Sequence, residues 1–147
     1  MILISHRGNI NGPKPQDENK PSYISSAINQ GYDCEVDFWY VNNKFVLGHD
    51  EPQYEIPLEF IQTYYNKLWI HCKNHQALSK LVEIDRGGVY FNYFWHDSDD
   101  VALTSKSYMW ANPGVYIENS IAVLPEIKSD NLKNRIGICS DYIINYE

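Results

Sequence analysis

From residue 34 to 41 the chain alternates between unlike positions. Cys34, Val36, Phe38 and Tyr40 fall on one side, and Glu35, Asp37 and Trp39 on the other, the period of two expected of a strand with two different faces. Asn42-Asn43 then supplies a two-residue turn, since asparagine tolerates positive φ, and Lys44–His49 reads as the return strand of a hairpin. Leu3–Ser5 predicts a brief strand running straight into His6-Arg7-Gly8. The stretch Asn9–Lys20, with Gly12, Pro13 and Pro15, predicts a polar loop. Pro21 suits the first turn of a helix whose stripe is Tyr23, Ile24, Ala27 and Ile28, with Gly31 at the C′ position. A second helix opens at Pro57 and carries Leu58, Ile61, Tyr64 and Tyr65. Leu68–Lys73 is a strand, and Asn74 caps a third helix bearing Leu78, Leu81 and Val82 that ends before Gly87-Gly88. Strands follow at Val89–Trp95, Tyr108–Ala111, Ser120–Leu124 and Ile136–Ile144, with only a short turn of helix, Asp130–Arg135, between them.

Strands alternating with helices predict parallel β/α units. Without an internal repeat, low-complexity tract or linker, residues 1–147 read as a single domain. An eight-fold barrel normally takes about 250 residues. An α/β chain of this length therefore predicts a reduced TIM (β/α) barrel with several outer helices shortened or missing; a small open α/β sheet is the alternative.

Composition narrows the function classes. Hydrophobic residues are 44% and charged residues 21% of the chain, a globular balance. A net charge of −7 repels phosphate backbones, so no nucleic-acid partner is expected. No apolar run reaches the roughly 18–20 residues of a bilayer span, and Met1–Arg7 has no basic region before a long apolar stretch, so neither a membrane partner nor export is expected. Cys34, Cys72 and Cys139, odd in number and without a CxxC pair, read as buried free thiols in a reducing, cytoplasmic setting.

Three places can carry chemistry. Glu35 and Asp37 lie about 6–7 Å apart along their strand. If buried, they call for a cation, and a hard divalent ion suits oxygen ligands; a face open to water is the plain alternative. His6 and Arg7 leave the first strand together, and an arginine fork suits a phosphate, against the reading of a simple surface turn. His49-Asp50 ends the hairpin and so returns to Glu35 and Asp37. Two histidines beside a metal and an arginine would supply the proton donor and acceptor of phosphodiester cleavage.

The ordered set His6-Arg7-Gly8, Glu18-Asn19, Ala27 to Gly31, Glu35-Val36-Asp37 and His49-Asp50 resembles the glycerophosphodiester phosphodiesterase family. The likeness is close over residues 1–50, looser at Leu68–Lys73 and general thereafter, where Gly137–Tyr142 resembles the closing strand. It implies the TIM barrel and hydrolysis of a small-molecule glycerophosphodiester with Mg²⁺ or Ca²⁺. By motif, His6 and His49 would be the acid–base pair, Arg7 would hold phosphate, and Glu35 and Asp37 would bind the metal. Glu18 would be a further ligand or would orient Arg7. The implied course is attack by a hydroxyl next to the phosphate, then opening of the cyclic phosphate by water.

Two departures stand out. The family's third strand carries Glu-x-Lys, with the glutamate as a metal ligand; here the segment is Trp69-Ile70-His71-Cys72-Lys73. His71 takes the glutamate's place, which shifts preference toward Mn²⁺ or Zn²⁺, weakens metal binding, or abolishes activity, while Lys73 on the same face can reach a phosphate. The missing helices predict a shallow pocket, where Tyr93, Trp95, Tyr108 and Trp110 could stack on a sugar or a choline-like group, with core packing as the plainer assignment. Asp141 either faces the mouth or is a solvent-facing carboxylate. His96–Asp100 reads as a solvated loop, and His75 as a surface residue. A non-catalytic phosphate- or sugar-phosphate-binding module is the rival function, and a related phosphodiesterase or phospholipase a third. Apolar strand faces left bare by missing helices would favour a homo-oligomer.

Overall fold

The computed structural model describes residues 1–86 and 90–147. In chain order it holds β1 (Ile2–His6), α1 (Pro21–Asn29), β2 (Asp33–Val41), β3 (Lys44–Leu47), β4 (Tyr54–Ile56), α2 (Leu58–Thr63) and β5 (Leu68–Cys72). Then come α3 (His75–Ile84), β6 (Asn92–Trp95), β7 (Val101–Leu103), β8 (Met109–Ala111), β9 (Ser120–Val123), β10 (Gly137–Ser140) and a 3₁₀ turn at Ile143–Tyr146. The predicted helix stop at Gly87-Gly88 and strand start at Val89 lie outside the described residues.

The ten strands among the described residues belong to one sheet. Its parallel members run β6-β5-β2-β1-β10-β9-β8, and β3, β4 and β7 join antiparallel at its margins. The result is a curled half-barrel, mostly β, with three short helices among the described residues. This overturns the reduced TIM barrel. The expected β/α alternation stops after β6, because the later connections build no helix. Asp130–Arg135, predicted as a helical turn, is irregular loop folded around a buried ion pair, with Arg135 Nη2 2.8 Å from Asp130 Oδ1. A half-barrel without its outer helices must be closed by such loops and by added antiparallel strands.

Where the early sequence signals were strong, the elements follow them. Asn42 and Asn43 take φ of 51° and 61° in the turn between β2 and β3. Pro21 opens α1. The Asn74 carboxamide caps α3, accepting from Ala77 N at 2.9 Å, and also clamps Tyr40 through its backbone N–H and carbonyl, at 3.2 and 3.0 Å. The final strand is shorter than predicted, because the chain turns into the 3₁₀ segment beyond Ser140.

Two apolar layers set the sheet's curvature. On the convex side Val36, Phe38, Ile70 and Cys72 pack with Ile24 of α1 and Leu81 of α3. On the concave side Ile4, Trp69, Phe94, Trp110, Ile121 and Cys139 form a second cluster. All three cysteines are free and buried as expected, and burial pushes the Cys72 thiol up to about 12. No helix among the described residues is long and apolar enough to cross a membrane.

Candidate active site

The concave cluster is the floor of the site. Side chains alternate along a strand, so the residue two beyond each floor position stands one pleat nearer the carboxyl edge of the sheet. Ile4 leads to His6, Trp69 to His71, Phe94 to His96 and Cys139 to Asp141. On β2 the same face carries Asp33, Glu35 and Asp37. Parallel pairing in register sets His6 beside Glu35 and Asp37 beside His71. The alternation read from residues 34–41 thus places both carboxylates correctly, and both are buried, at 2% and 0% exposure.

The chain leaves β1 through a tight turn. Arg7 takes φ 56° and Gly8 φ 95°, and Asn9 N donates to His6 O at 2.9 Å. A left-handed arginine is strained by about 1–3 kcal/mol, and here the strain aims the guanidinium back over β2. Asn19 fixes the far end of the loop: its Nδ2 donates to Asp37 Oδ2 and its Oδ1 accepts from Asp37 N, both at 2.9 Å. Gly48, at the hairpin's return, admits no side chain, because a Cβ there would collide with the Glu51 carbonyl. That close approach sets His49 over Asp37, Nδ1 to Oδ2 3.4 Å.

A row of three bases results. His6 Nδ1 lies 2.7 Å from Asp141 Oδ1, so this nitrogen donates and Nε2 is left facing Glu35 Oε2 at 3.8 Å. Arg7 Nη1 donates to Glu18 Oε2 at 3.4 Å, and Nε stands 2.9 Å from Asp37 Oδ2 as an ion pair off the hydrogen-bonding direction. Arg7 Nη2 meets His49 Nδ1 at 2.6 Å. A guanidinium can only donate, so that imidazole nitrogen is the unprotonated one. Burial disfavours the charged form of His6, but the Asp141 hydrogen bond and the Glu35 charge outweigh it and raise its pKa above 6.5. Asp141 is correspondingly lowered: burial opposes ionisation and the His6 bond overcomes it.

The second group is Glu35, Asp37 and His71, each with a ligand atom within 4.8 Å of the others. His71 Nε2 can only donate to the His96 carbonyl, 3.3 Å away, and Phe94 stacks on the ring at 5.1 Å. Nδ1 is therefore turned toward Asp37 Oδ1 at 3.3 Å and Glu35 Oε1 at 3.8 Å. Asp37 Oδ1 and Glu35 Oε2 are buried without a hydrogen-bond partner. A lone pair facing carboxylates is repulsive unless a proton or a metal ion lies among them. Burial, then the Asp37 charge, raises the pKa of Glu35. Asp37 stays well below the ordinary carboxylate range: burial opposes its ionisation, and the Arg7 guanidinium beside it overcomes that.

The structure thus brings together His6, Arg7, Glu18, Glu35, Asp37, His49 and His71. Glu18 sits against Arg7 rather than with the Glu35, Asp37 and His71 trio. Lys73 stays apart: it follows β5, its backbone N–H donates to Phe38 O at 2.8 Å, and it does not line the cleft. That cleft is about 490 Å³ and opens over His6, Arg7, His49 and Asp141, with Pro13, Pro15 and Leu124 on its walls. None of the four aromatic candidates lines it. Trp110 is in the concave floor, Tyr108 packs on Trp69, and Tyr93 and Trp95 pack against the convex core. Asp141 does face the mouth. Two asparagines carry the site beyond the residues expected from the sequence: Asn19, which follows Glu18 in its motif, and Asn9, which no sequence pattern signals.

Comparison with protein-family models, with curated proteins and with solved structures found no match to this chain.

Proposed function

We propose that the chain is a metal-dependent phosphodiester hydrolase acting on a small glycerophosphodiester-like molecule, the activity implied by its motif resemblance. The observation that carries this reading is that Glu35, Asp37 and His71 each bring a ligand atom within 4.8 Å of the others, with one oxygen of each carboxylate unpartnered, next to the His6–Arg7–His49 row. Four carboxylates (Glu18, Glu35, Asp37 and Asp141) surround one guanidinium there. An anionic diester needs further positive charge to enter such a place. A divalent ion held by Glu35, Asp37 and His71 fits the donor set and would neutralise charge on the phosphoryl oxygens. An imidazole among its ligands favours Mn²⁺ or Zn²⁺ over Mg²⁺ or Ca²⁺.

The chain's own residues divide the remaining work. Arg7, steadied by Glu18 and Asp37, exchanges its His49 contact for a phosphate oxygen. His6 holds its Nδ1 proton toward Asp141 and offers Nε2 to one alcohol oxygen. His49, released from Arg7, serves the other. Positioning and charge compensation supply most of the acceleration.

The test is hydrolysis of a panel of glycerophosphodiesters and bis-p-nitrophenyl phosphate, with Mg²⁺, Ca²⁺, Mn²⁺, Zn²⁺ or EDTA. The expected result is metal-dependent turnover, best with Mn²⁺ or Zn²⁺, that falls by about 10²- to 10⁴-fold in His6→Ala and in His49→Ala. Folded protein that binds glycerol phosphate without any turnover would replace this reading with the binding module.

A further inference from the structure

Asn9 is fully buried, and every hydrogen-bonding position of its carboxamide is filled. Its Nδ2 donates to Glu18 Oε1 at 2.9 Å and to Asp141 Oδ1 at 2.8 Å. Its Oδ1 accepts from Lys14 N and from the Tyr23 hydroxyl, both at 3.1 Å. Two donors and two acceptor lone pairs are the whole capacity of an asparagine side chain. Its orientation is also fixed. Turned over, the amide would set its oxygen against two carboxylates and its NH₂ against the Lys14 N–H.

The two carboxylates served by this one amide have different clients. Asp141 holds the Nδ1 of His6, and Glu18 holds the guanidinium of Arg7. We propose that Asn9 is the positioning residue that locks the imidazole of His6 and the guanidinium of Arg7 into one geometry, by bridging Asp141 and Glu18. This rests on the phosphodiesterase reading for its consequence in turnover, though not for the geometry. Without the bridge, two like charges lose their shared donor. Asp141 then turns toward solvent, and His6 loses the partner that keeps its proton on Nδ1. Aspartate cannot substitute, since it adds a third carboxylate, and leucine brings no donor. An outer partner of this kind typically changes activity by about 10- to 100-fold.

The test follows the His6 ring by ¹⁵N–¹H NMR, with the resonance assigned by its absence in His6→Gln. In the wild type, the Nδ1 proton held by Asp141 is expected as a downfield signal protected from exchange. In Asn9→Leu that signal is lost, kcat falls by about 10- to 100-fold and KM changes little, while the resonances of the core remain. Tyr23→Phe, which removes one of the contacts on the amide oxygen, is expected to weaken the signal and to lower kcat by a few-fold; it serves if Asn9→Leu fails to fold. A His6 proton unchanged in the folded variants overturns the proposal. Wild-type protein that hydrolyses no diester, yet shows a His6 proton dependent on Asn9, overturns the phosphodiesterase reading and leaves the bridge standing.

Discussion

Asp33, Glu35 and Asp37 occupy one face of β2, and they are treated differently by what surrounds them. At the amino end of the strand Asp33 is fully served: Oδ1 takes the Lys67 ammonium at 3.0 Å and Oδ2 takes the Trp69 indole N–H at 3.0 Å. Glu35 and Asp37, one and two pleats further on, are more deeply buried and each keeps an oxygen without a partner. Two of the three arginines, Arg135 and Arg7, repeat the contrast. Arg135 gives its donors to the carbonyls of Val115, Ile117 and Asn131, to the Ser120 hydroxyl and to Asp130. Arg7 leans on the unprotonated Nδ1 of His49. Charge at one end of the sheet is consumed by the fold, and at the other end it is held open, so the stock of partners rather than the number of acids marks the site.

Breaking the consumed end should cost the most stability. Asp130→Ala leaves the Arg135 guanidinium buried at 0% exposure without its carboxylate, and is expected to lower the unfolding free energy by about 3–5 kcal/mol in urea titration. A loss below about 1 kcal/mol would mean that water reaches Arg135 and that its burial is not what binds the loop. At the open end the sign reverses. Glu35→Gln should leave the metal-free protein as stable or more so, since it removes one of two adjacent buried charges. It should also abolish the stabilisation that a divalent ion confers on the wild type, about 2.7 kcal/mol at a hundred times Kd. Differential scanning fluorimetry with Mn²⁺ and EDTA reads both effects, and an undiminished Mn²⁺ shift would remove Glu35 from the ligand set. The smallest change is expected for Asp33→Asn. Its Lys67 partner is partly exposed, so stability should fall by about 1 kcal/mol or less with turnover unchanged.

The sequence displayed the open end better than the frame that holds it. The alternation from Cys34 to Tyr40 was enough to put Glu35 and Asp37 on one buried face, and the Asn42-Asn43 turn was enough to bring His49 back to them. Those signals are local. The barrel expectation failed because it closed the later strands into a ring, whereas their connections are loops held by distant contacts such as Arg135 with the carbonyls of Val115 and Ile117. The strands β4 and β7 span three residues each, too short for any period to register. Asn9 was invisible for another reason. One buried asparagine after a turn looks like any loop residue until the two carboxylates it serves arrive from positions 18 and 141. Which nitrogen of His71 faces the acids was equally hidden, because the His96 carbonyl decides it.

The first strand lies between β2 and β10, and His6 is completed by a residue 135 positions away. During synthesis this makes the site a late event. While the chain is still emerging, β1 can pair with β2 and the hairpin can close, so Glu35, Asp37 and His49 can gather early. The other side of β1 stays an open edge until β10 has been made, and His6 has no Asp141 to hold its ring. A chain halted before Gly137 would therefore carry half a site and two unpaired edges, the condition in which sheets find the wrong neighbours. Competence is thus tied to arrival of the last strand, and a pairing of such long sequence separation is also the one expected to pace folding.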